Sequence, residues 1–214
     1  MIRIVNLFFI IFFLLSAKAY SLIEIDITRG NLDPLPIAVS PLFQDDSSKG
    51  NSINELKIDN VGSEISLVVE NNLKISGLFN PLSKEAFLQK PDIAHLKPRF
   101  EDWALIKAQA LITGKVTIED KKLKVEFRLW DILAGREMMA LAFTTVPSNW
   151  RRVGHIISDK VYERLTGEKG YFDTRIIYVS EEGPKTARVK KLAIMDQDGF
   201  NTKYLTLGNE LVLT

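Results

Sequence analysis

Few side chains in this sequence are of the types that carry out chemistry. The 214 residues include two histidines, His95 and His155, and no cysteine. A structural zinc site normally uses several His or Cys ligands, so a metal site here would need carboxylates beside two histidines that are distant in sequence. We predict instead that His95 lies in a loop and that His155 lies on a helix surface or in an interface. The sequence therefore predicts no metal site.

The run Asp196-Gln197-Asp198-Gly199 resembles part of a calcium-binding loop. Counted from Asp196, the full motif needs an acidic residue at position five and a glutamate at position twelve, but Phe200 and Leu207 stand there. Asp-Gly is also a strong signal for a tight turn. We therefore predict a turn at the end of a strand.

The motifs of common enzyme classes are missing from the sequence. It has no Gly-x-Ser-x-Gly elbow, no Gly-x-Gly-x-x-Gly fingerprint and no phosphate-binding P-loop. The carboxylate pairs Asp45-Asp46 and Glu181-Glu182 are predicted to be solvated charge in polar loops. A net charge of +1 and the scattered pairs Lys121-Lys122 and Lys190-Lys191 form no nucleic-acid footprint. These observations favour a protein that is not an enzyme, uses no cofactor and binds no nucleic acid.

Residues 1–19 have the pattern of a secretory signal peptide. Arg3 supplies a positive charge, residues 4–15 are almost entirely apolar, and Ala17-Lys18-Ala19 matches a small-x-small cleavage motif. We predict cleavage between Ala19 and Tyr20. The apolar run is shorter than the roughly 20 residues that span a bilayer, which argues against a membrane anchor. Because no cysteine is available for lipid attachment, we expect a periplasmic protein with no membrane span after cleavage.

Strands and helices alternate in the first half of the mature chain. Residues 22–28 alternate in polarity, which predicts a half-buried strand, and Ile37-Ala38-Val39 predicts a buried one. Apolar residues at helical spacing predict an amphipathic helix within residues 53–75. Further on, we predict a short helix capped by Ser83, a loop over residues 91–98 and a short helix over residues 100–107.

Three alternating runs follow, over residues 110–118, 123–129 and 138–146. They predict a three-stranded antiparallel meander with one buried face. Ser148 is predicted to cap a helix that ends at Gly167. Helices interleaved with a mixed or antiparallel sheet predict an α+β domain over residues 20–168.

Residues 169–214 contain two strand-like runs, Arg175–Ser180 and Val189–Asp196. Together they predict a hairpin. An isolated hairpin is marginal in water, so we expect its sheet to include further strands.

The tract from Trp150 to Asn201 carries a family resemblance. Its segments SDKVYERLTG, GYFDTRIIYVS and MDQDGFN, together with LIEIDITRGN and GLFNPL nearer the N-terminus, resemble the TolB family of the periplasmic Tol–Pal system. The resemblance covers nearly the whole chain. It implies an N-terminal α+β domain followed by a six-bladed β-propeller, of which residues 169–214 would form the first strands, so the chain would be truncated.

The resemblance also implies a function and partners. It implies a non-catalytic, monomeric scaffold that helps maintain outer-membrane integrity and envelope constriction at cell division. The implied partners are the lipoprotein Pal, bound chiefly through the propeller, and the inner-membrane protein TolA, bound through the mature N-terminus. The TolA-binding segment matches Leu22, Ile23, Glu24, Ile25, Asp26, Ile27, Thr28, Arg29, Gly30, Asn31, Leu32 and Asp33.

Alternatives to this reading stay open. Ile23, Ile25 and Ile27 could complete the sheet of their own domain rather than pair with a partner, and both arrangements could hold in different states. The chain could also be the N-terminal part of a propeller-type exported hydrolase, or a stand-alone periplasmic binding domain.

Overall fold

The computed structural model describes residues 33–44, 58–119 and 121–208, together with Ile23 and Ile25. These residues form two β-sheets and four α-helices. The strands are β1 (Leu35–Val39), β2 (Phe43–Gln44), β3 (Phe79–Pro81), β4 (Ala110–Glu119), β5 (Lys122–Asp131), β6 (Arg136–Thr145), β7 (Arg175–Glu182), β8 (Val189–Asp196) and β9 (Lys203–Tyr204). The helices are α1 (Val61–Ile75), α2 (Pro91–Ala94), α3 (Phe100–Leu105) and α4 (Trp150–Thr166). Within the described ranges, no helix is long and apolar enough to cross a membrane.

The larger sheet is mixed. Its strand order is β3-β1-β4-β5-β6, and β2 also pairs with β4. Strand β1 runs parallel to β3 and β4, whereas β4, β5 and β6 form an antiparallel meander in which Ala110 pairs with Asp131 and Leu123 with Thr145. The predicted meander and the predicted α+β class with a mixed sheet are confirmed.

Helices α1 and α4 cover one face of this sheet. Helix α1 begins after Asn60, whose side-chain oxygen accepts the Ser63 N–H at 2.8 Å and so caps the helix. The two helices cross so closely that a Cβ placed on Gly154 would lie 2.8 Å from Val68 Cγ1. The core between helices and sheet is built from apolar side chains that are almost fully buried, among them Ile37, Ile65, Leu73, Ile112, Leu123, Phe127, Leu129, Ile157 and Leu165.

The opposite face of the sheet carries a second, smaller core. Trp103, Leu111 and Trp130 are buried there beneath α2 and α3. The predicted loop over residues 91–98 is wrong in its first half, because Pro91 opens a helical turn. Proline fits the first turn of a helix, where its missing N–H would have no partner in any case.

The predicted helix caps have different outcomes. Ser83 lies at the N-cap position of a short helical segment, as predicted, but that segment is a 3₁₀ turn and the Ser83 side chain makes no capping bond. Ser148 lies inside another 3₁₀ turn, so its predicted cap is wrong. Helix α4 starts instead at Trp150. It ends as predicted at Gly167, whose φ of 76° is the left-handed conformation that glycine adopts easily at this position.

Strands β7, β8 and β9 form a separate antiparallel sheet, called here the C-terminal sheet. The predicted hairpin is confirmed, and the short β9 adds a third strand. Strand β7 continues to Glu182, so the prediction that Glu181 and Glu182 lie in a loop is wrong. Their carboxylates form exposed cross-strand pairs with Lys190 at 3.2 Å and Lys191 at 3.0 Å.

Candidate functional site

The segment predicted to bind a partner reaches the C-terminal end of α4. Of residues 22–33, the structure describes Ile23, Ile25 and Asp33; the other nine, and the predicted cleavage site at Ala19 and Tyr20, lie outside the described residues. The backbone N–H of Ile25 donates to the carbonyl of Leu165 at 2.7 Å. Both isoleucine side chains are partly buried against the core between the two long helices and the larger sheet, whereas Asp33 is exposed.

This contact uses a helix end rather than a sheet edge. Leu165 belongs to the last turn of α4, where backbone carbonyls have no partner within the helix. Neither Ile23 nor Ile25 belongs to a strand. Their side chains add to the core of the α+β domain, which agrees in part with the alternative that these isoleucines complete their own domain. Ile23 and Ile25 pack on that core, however, and are not paired as part of its sheet.

A second candidate site lies where α4 meets the turn that follows β8. We call it the junction cluster: Asn72, Arg151, His155, Gln197 and Asp198. The guanidinium of Arg151 forms an ion pair with the Asp198 carboxylate. Its Cζ atom also lies 3.9 Å from the centroid of the Phe200 ring, a cation–π contact. The pair joins the first turn of α4 to the C-terminal sheet.

Asn72 is the centre of the junction cluster. It lies in α1 with no exposed surface. Its amide nitrogen donates to His155 Nδ1 at 2.9 Å and to Ser158 Oγ at 3.0 Å, and its amide oxygen accepts from Gln197 Nε2 at 3.1 Å. One side chain therefore connects α1, α4 and the C-terminal sheet.

Local sequence explains how these groups come together. Arg151, His155 and Ser158 are spaced by four and three residues, so they share one face of α4. On the other side, Gly199 adopts a φ of 87° and donates its N–H to the Asp196 carbonyl at 2.9 Å, which closes the predicted turn. That turn aims Asp198 at the helix.

His155 is buried, with 3% of its surface exposed. The prediction of an interface position fits this location, whereas a helix-surface position would be wrong. Burial lowers the pKa of His155 below its usual range; the carboxylates of Asp198, Asp196 and Asp173 act in the opposite direction, and the Arg151 charge lowers the pKa further. The imidazole is therefore neutral near neutral pH.

The junction cluster also contains the ligand types of a metal site. His155, Asp196 and Asp198 place one ligand atom each within 4.8 Å of one another. However, Asn72 uses its amide hydrogens on Nδ1 of His155 and on Ser158, so Nδ1 must accept and Nε2 must carry the ring hydrogen. A protonated Nε2 has no lone pair for a metal, and Arg151 already neutralises Asp198. This arrangement fits an ion-pair network better than a metal site.

The other histidine belongs to a different place. His95 caps the end of α2, stacks on the Phe43 ring with centroids 4.6 Å apart, and places its Nδ1 3.0 Å from the Pro91 carbonyl. Helix α2 packs on the opposite face of the sheet from α4. The structure therefore does not bring the two histidines together.

The segment between α4 and β7 is held against the helix by backbone and side-chain bonds. The two carboxylate oxygens of Asp159 accept the backbone N–H groups of Phe172 at 2.6 Å and Asp173 at 3.1 Å. Arg152 forms a two-pronged ion pair with Asp173, which raises the pKa of Arg152.

Beside this segment and the junction cluster lies a polar cavity of about 560 Å³, lined in part by Arg152, Asp173 and Lys203.

Sequence reasoning missed the junction cluster as a site. The turn and the helix were each predicted, but nothing in either segment indicated that one would pack against the other. The available signal was the line of polar residues Arg151, His155 and Ser158 on a helix whose other buried positions, apart from Thr166 at its end, are apolar or glycine. A histidine within such a line indicates a polar contact with another element.

Comparisons with known proteins agree on the resemblance. The family model described as the TolB amino-terminal domain matches residues 23–138. The Tol-Pal system protein TolB of Pelagibacter ubique (strain HTCC1062) is 79% identical over 206 residues, which cover 96% of this chain and 46% of the relative. The crystal structure of TolB from Acinetobacter baumannii has a TM-score of 0.66 and 24% identity, over 81% of this chain and 39% of that one. At this identity the structural likeness shows the fold alone, and the chain spans less than half the length of either protein.

Proposed function

The chain belongs to the family of TolB amino-terminal domains, and we propose that it acts in the Tol–Pal system as a periplasmic, non-catalytic protein-binding scaffold. The observation that carries this proposal is the 79% identity to a Tol-Pal system protein over nearly the whole chain. We further propose that the role is to support outer-membrane integrity and envelope constriction at division. The mature protein would begin at Tyr20, which an intact mass of the exported protein would check.

We propose that residues 22–33 bind TolA. The polarity of residues 22–28 supports this, because it alternates as in a strand. Such a segment can leave the contact that Ile25 makes with α4 and pair as a strand with the sheet edge of a partner. In that mode, backbone bonds supply affinity and alternate side chains supply specificity.

We propose that the C-terminal sheet forms the opening strands of a propeller. Its apolar side chains support this: Ile177 is 61% exposed and Ile176 41% exposed. Apolar residues exposed in a small sheet are typical of strands that pack against further strands. The relatives are more than twice as long as the matched region and have the length to contain such strands. Pal binding would then depend on the rest of that propeller, so we expect this chain alone to bind Pal weakly or not at all.

The TolA proposal is tested by deleting residues 22–33 from the mature chain and measuring TolA affinity by calorimetry. We expect binding to be lost. A milder variant, Ile25→Pro, removes the backbone N–H and should also weaken binding. The exposed residue Lys185, in the β7–β8 loop, offers a control as Lys185→Ala, which should bind normally. TolA affinity unchanged by the deletion, in a protein whose circular dichroism is unchanged, would refute the proposed site.

A further inference from the structure

The junction cluster joins two separately built parts of the molecule through polar contacts. Helices α1 and α4 belong to the α+β domain, whereas Gln197 and Asp198 follow β8 of the C-terminal sheet. The Gln197 side chain reaches Asn72, and the Asp198 carboxylate reaches Arg151. Polar contacts that include a histidine depend on its protonation state, whereas apolar packing does not.

Only one protonation state of His155 fits these contacts. Nδ1 accepts a hydrogen from Asn72, so a proton added to the imidazole would have to go to the nitrogen that already receives one. The Asn72 amide would then turn or withdraw. Because its oxygen holds Gln197 and its nitrogen holds Ser158, both of those bonds would be disturbed together.

Charged groups from α4, the C-terminal sheet and the connecting segment act on His155, whereas α1 contributes the uncharged Asn72. Arg151 lies one turn earlier on α4, Asp196 and Asp198 lie on the C-terminal sheet and its turn, and Asp173 lies in the connecting segment. The nearest carboxylate oxygen, on Asp198, is 3.8 Å from Nε2, which is beyond hydrogen-bond distance. In the described residues Nε2 has no hydrogen-bond partner. The carboxylates therefore compensate only in part for the loss of water around a charged ring.

We propose that docking of the C-terminal sheet onto α1 and α4 is linked to a proton at His155: the docked state holds the neutral imidazole, and acid releases the turn at Gln197-Asp198. Release exposes the ring to water, where its pKa returns to about 6.5. The docked state, whose imidazole has the lower pKa, binds fewer protons. Docking is therefore fully favoured above about pH 6.5 and weakens as the pH falls from there toward the docked pKa, by at most about tenfold per pH unit for one proton.

The proposal can be tested by measuring the distance between the two parts at several pH values. The chain has no cysteine, so Lys97→Cys and Lys185→Cys introduce two exposed labelling sites without background. Spin labels at these positions report the separation of the α2 region from the β7–β8 loop. Between pH 8 and pH 5, we expect a second, broader distance population to grow in the labelled parent.

Two histidine variants separate His155 from other acid effects. His155→Gln keeps a hydrogen-bond acceptor for Asn72 but does not titrate, so its distance distribution should stay constant over this range. The matched control, His95→Gln, removes the other histidine and should behave like the parent. A pH response that persists in His155→Gln, or a parent whose distances do not change, would overturn the proposal.

A second measurement does not require His155→Gln to fold. Proton NMR of the parent chain follows the imidazole signals of its two histidines, assigned with His95→Gln. We expect the His155 titration and the change in distance to share one midpoint. A distance change whose midpoint differs from the His155 titration would contradict the proton link.

Discussion

Asn71 and Asn72 are adjacent in α1, yet their surroundings differ completely. Asn71 is exposed, whereas Asn72 is fully buried and makes three side-chain hydrogen bonds to other elements. We expect Asn72→Ala to lower the free energy of unfolding by about 1–3 kcal/mol, because it leaves buried polar groups without partners. Asn71→Ala should change it by less than about 0.5 kcal/mol. Chemical denaturation of both variants measures the difference; equal losses would show that the Asn72 bonds add no stability.

The contrast between these two asparagines also shows what sequence could give at the residue scale. The apolar stripe of α1 was visible from spacing, and position 72, four residues after Val68, lies on that stripe. The partners of Asn72 are 83, 86 and 125 residues away in sequence. Local patterns carry no information about such distant contacts, so the junction cluster required the structure, whereas the turn that carries Asp198 was predicted from Asp-Gly alone.

At the scale of elements, the packing of α1 against α4 depends on a missing side chain. Glycine normally destabilises a helix interior relative to alanine by about 0.5–1 kcal/mol. At Gly154 the sign should reverse, because the new Cβ would meet Val68 at 2.8 Å from Cγ1 and 2.9 Å from Cβ. We expect Gly154→Ala to lower the free energy of unfolding by about 1–3 kcal/mol through overpacking.

A double-mutant cycle with Val68→Ala isolates this crossing. Removing the two methyl groups of Val68 makes room for the methyl group at position 154, so the double variant should lose less stability than the sum of the single variants. Strictly additive losses would mean that the helices do not meet at these two residues. Urea unfolding followed by circular dichroism supplies all four stabilities.

The elements differ in how far their own sequence determines them. The meander was predicted because apolar residues alternate with polar or small ones along β4 and β5. Burial follows this alternation in the first seven residues of β5, whereas the first five residues of β4 are all buried. Strands β2 and β3 have only two and three residues, too few for any period to be seen, and they exist because β4 and β1 offer parallel edges to them. Helix α2 was missed because proline at 91 and 98 suggested a loop, although proline suits the first position of a helix.

At the scale of the whole molecule, the connection between the two sheets belongs structurally to the α+β domain. Phe172 has no exposed surface and packs edge-on against Tyr162 of α4, with ring centroids 5.8 Å apart. Asp159 fixes the backbone at Phe172 and Asp173. We therefore propose that the domain boundary lies near Thr174 rather than at residue 168, where the predicted end of the last helix had placed it.

Two truncations of the mature chain test this boundary. A protein that ends at Thr174 keeps Phe172 and its contacts, whereas one that ends at Glu168 loses them and leaves an apolar site on α4 open to water. Burial of a phenylalanine side chain contributes about 1.5–3 kcal/mol, so the shorter protein should be less stable by about that amount. The variant Phe172→Ala in the longer truncation should reproduce most of the loss, which separates the side chain from the length of the chain. If thermal and urea unfolding show equal stability for the two truncations, the boundary lies at residue 168. Residues 169–174 would then be a linker that does not stabilise the α+β domain.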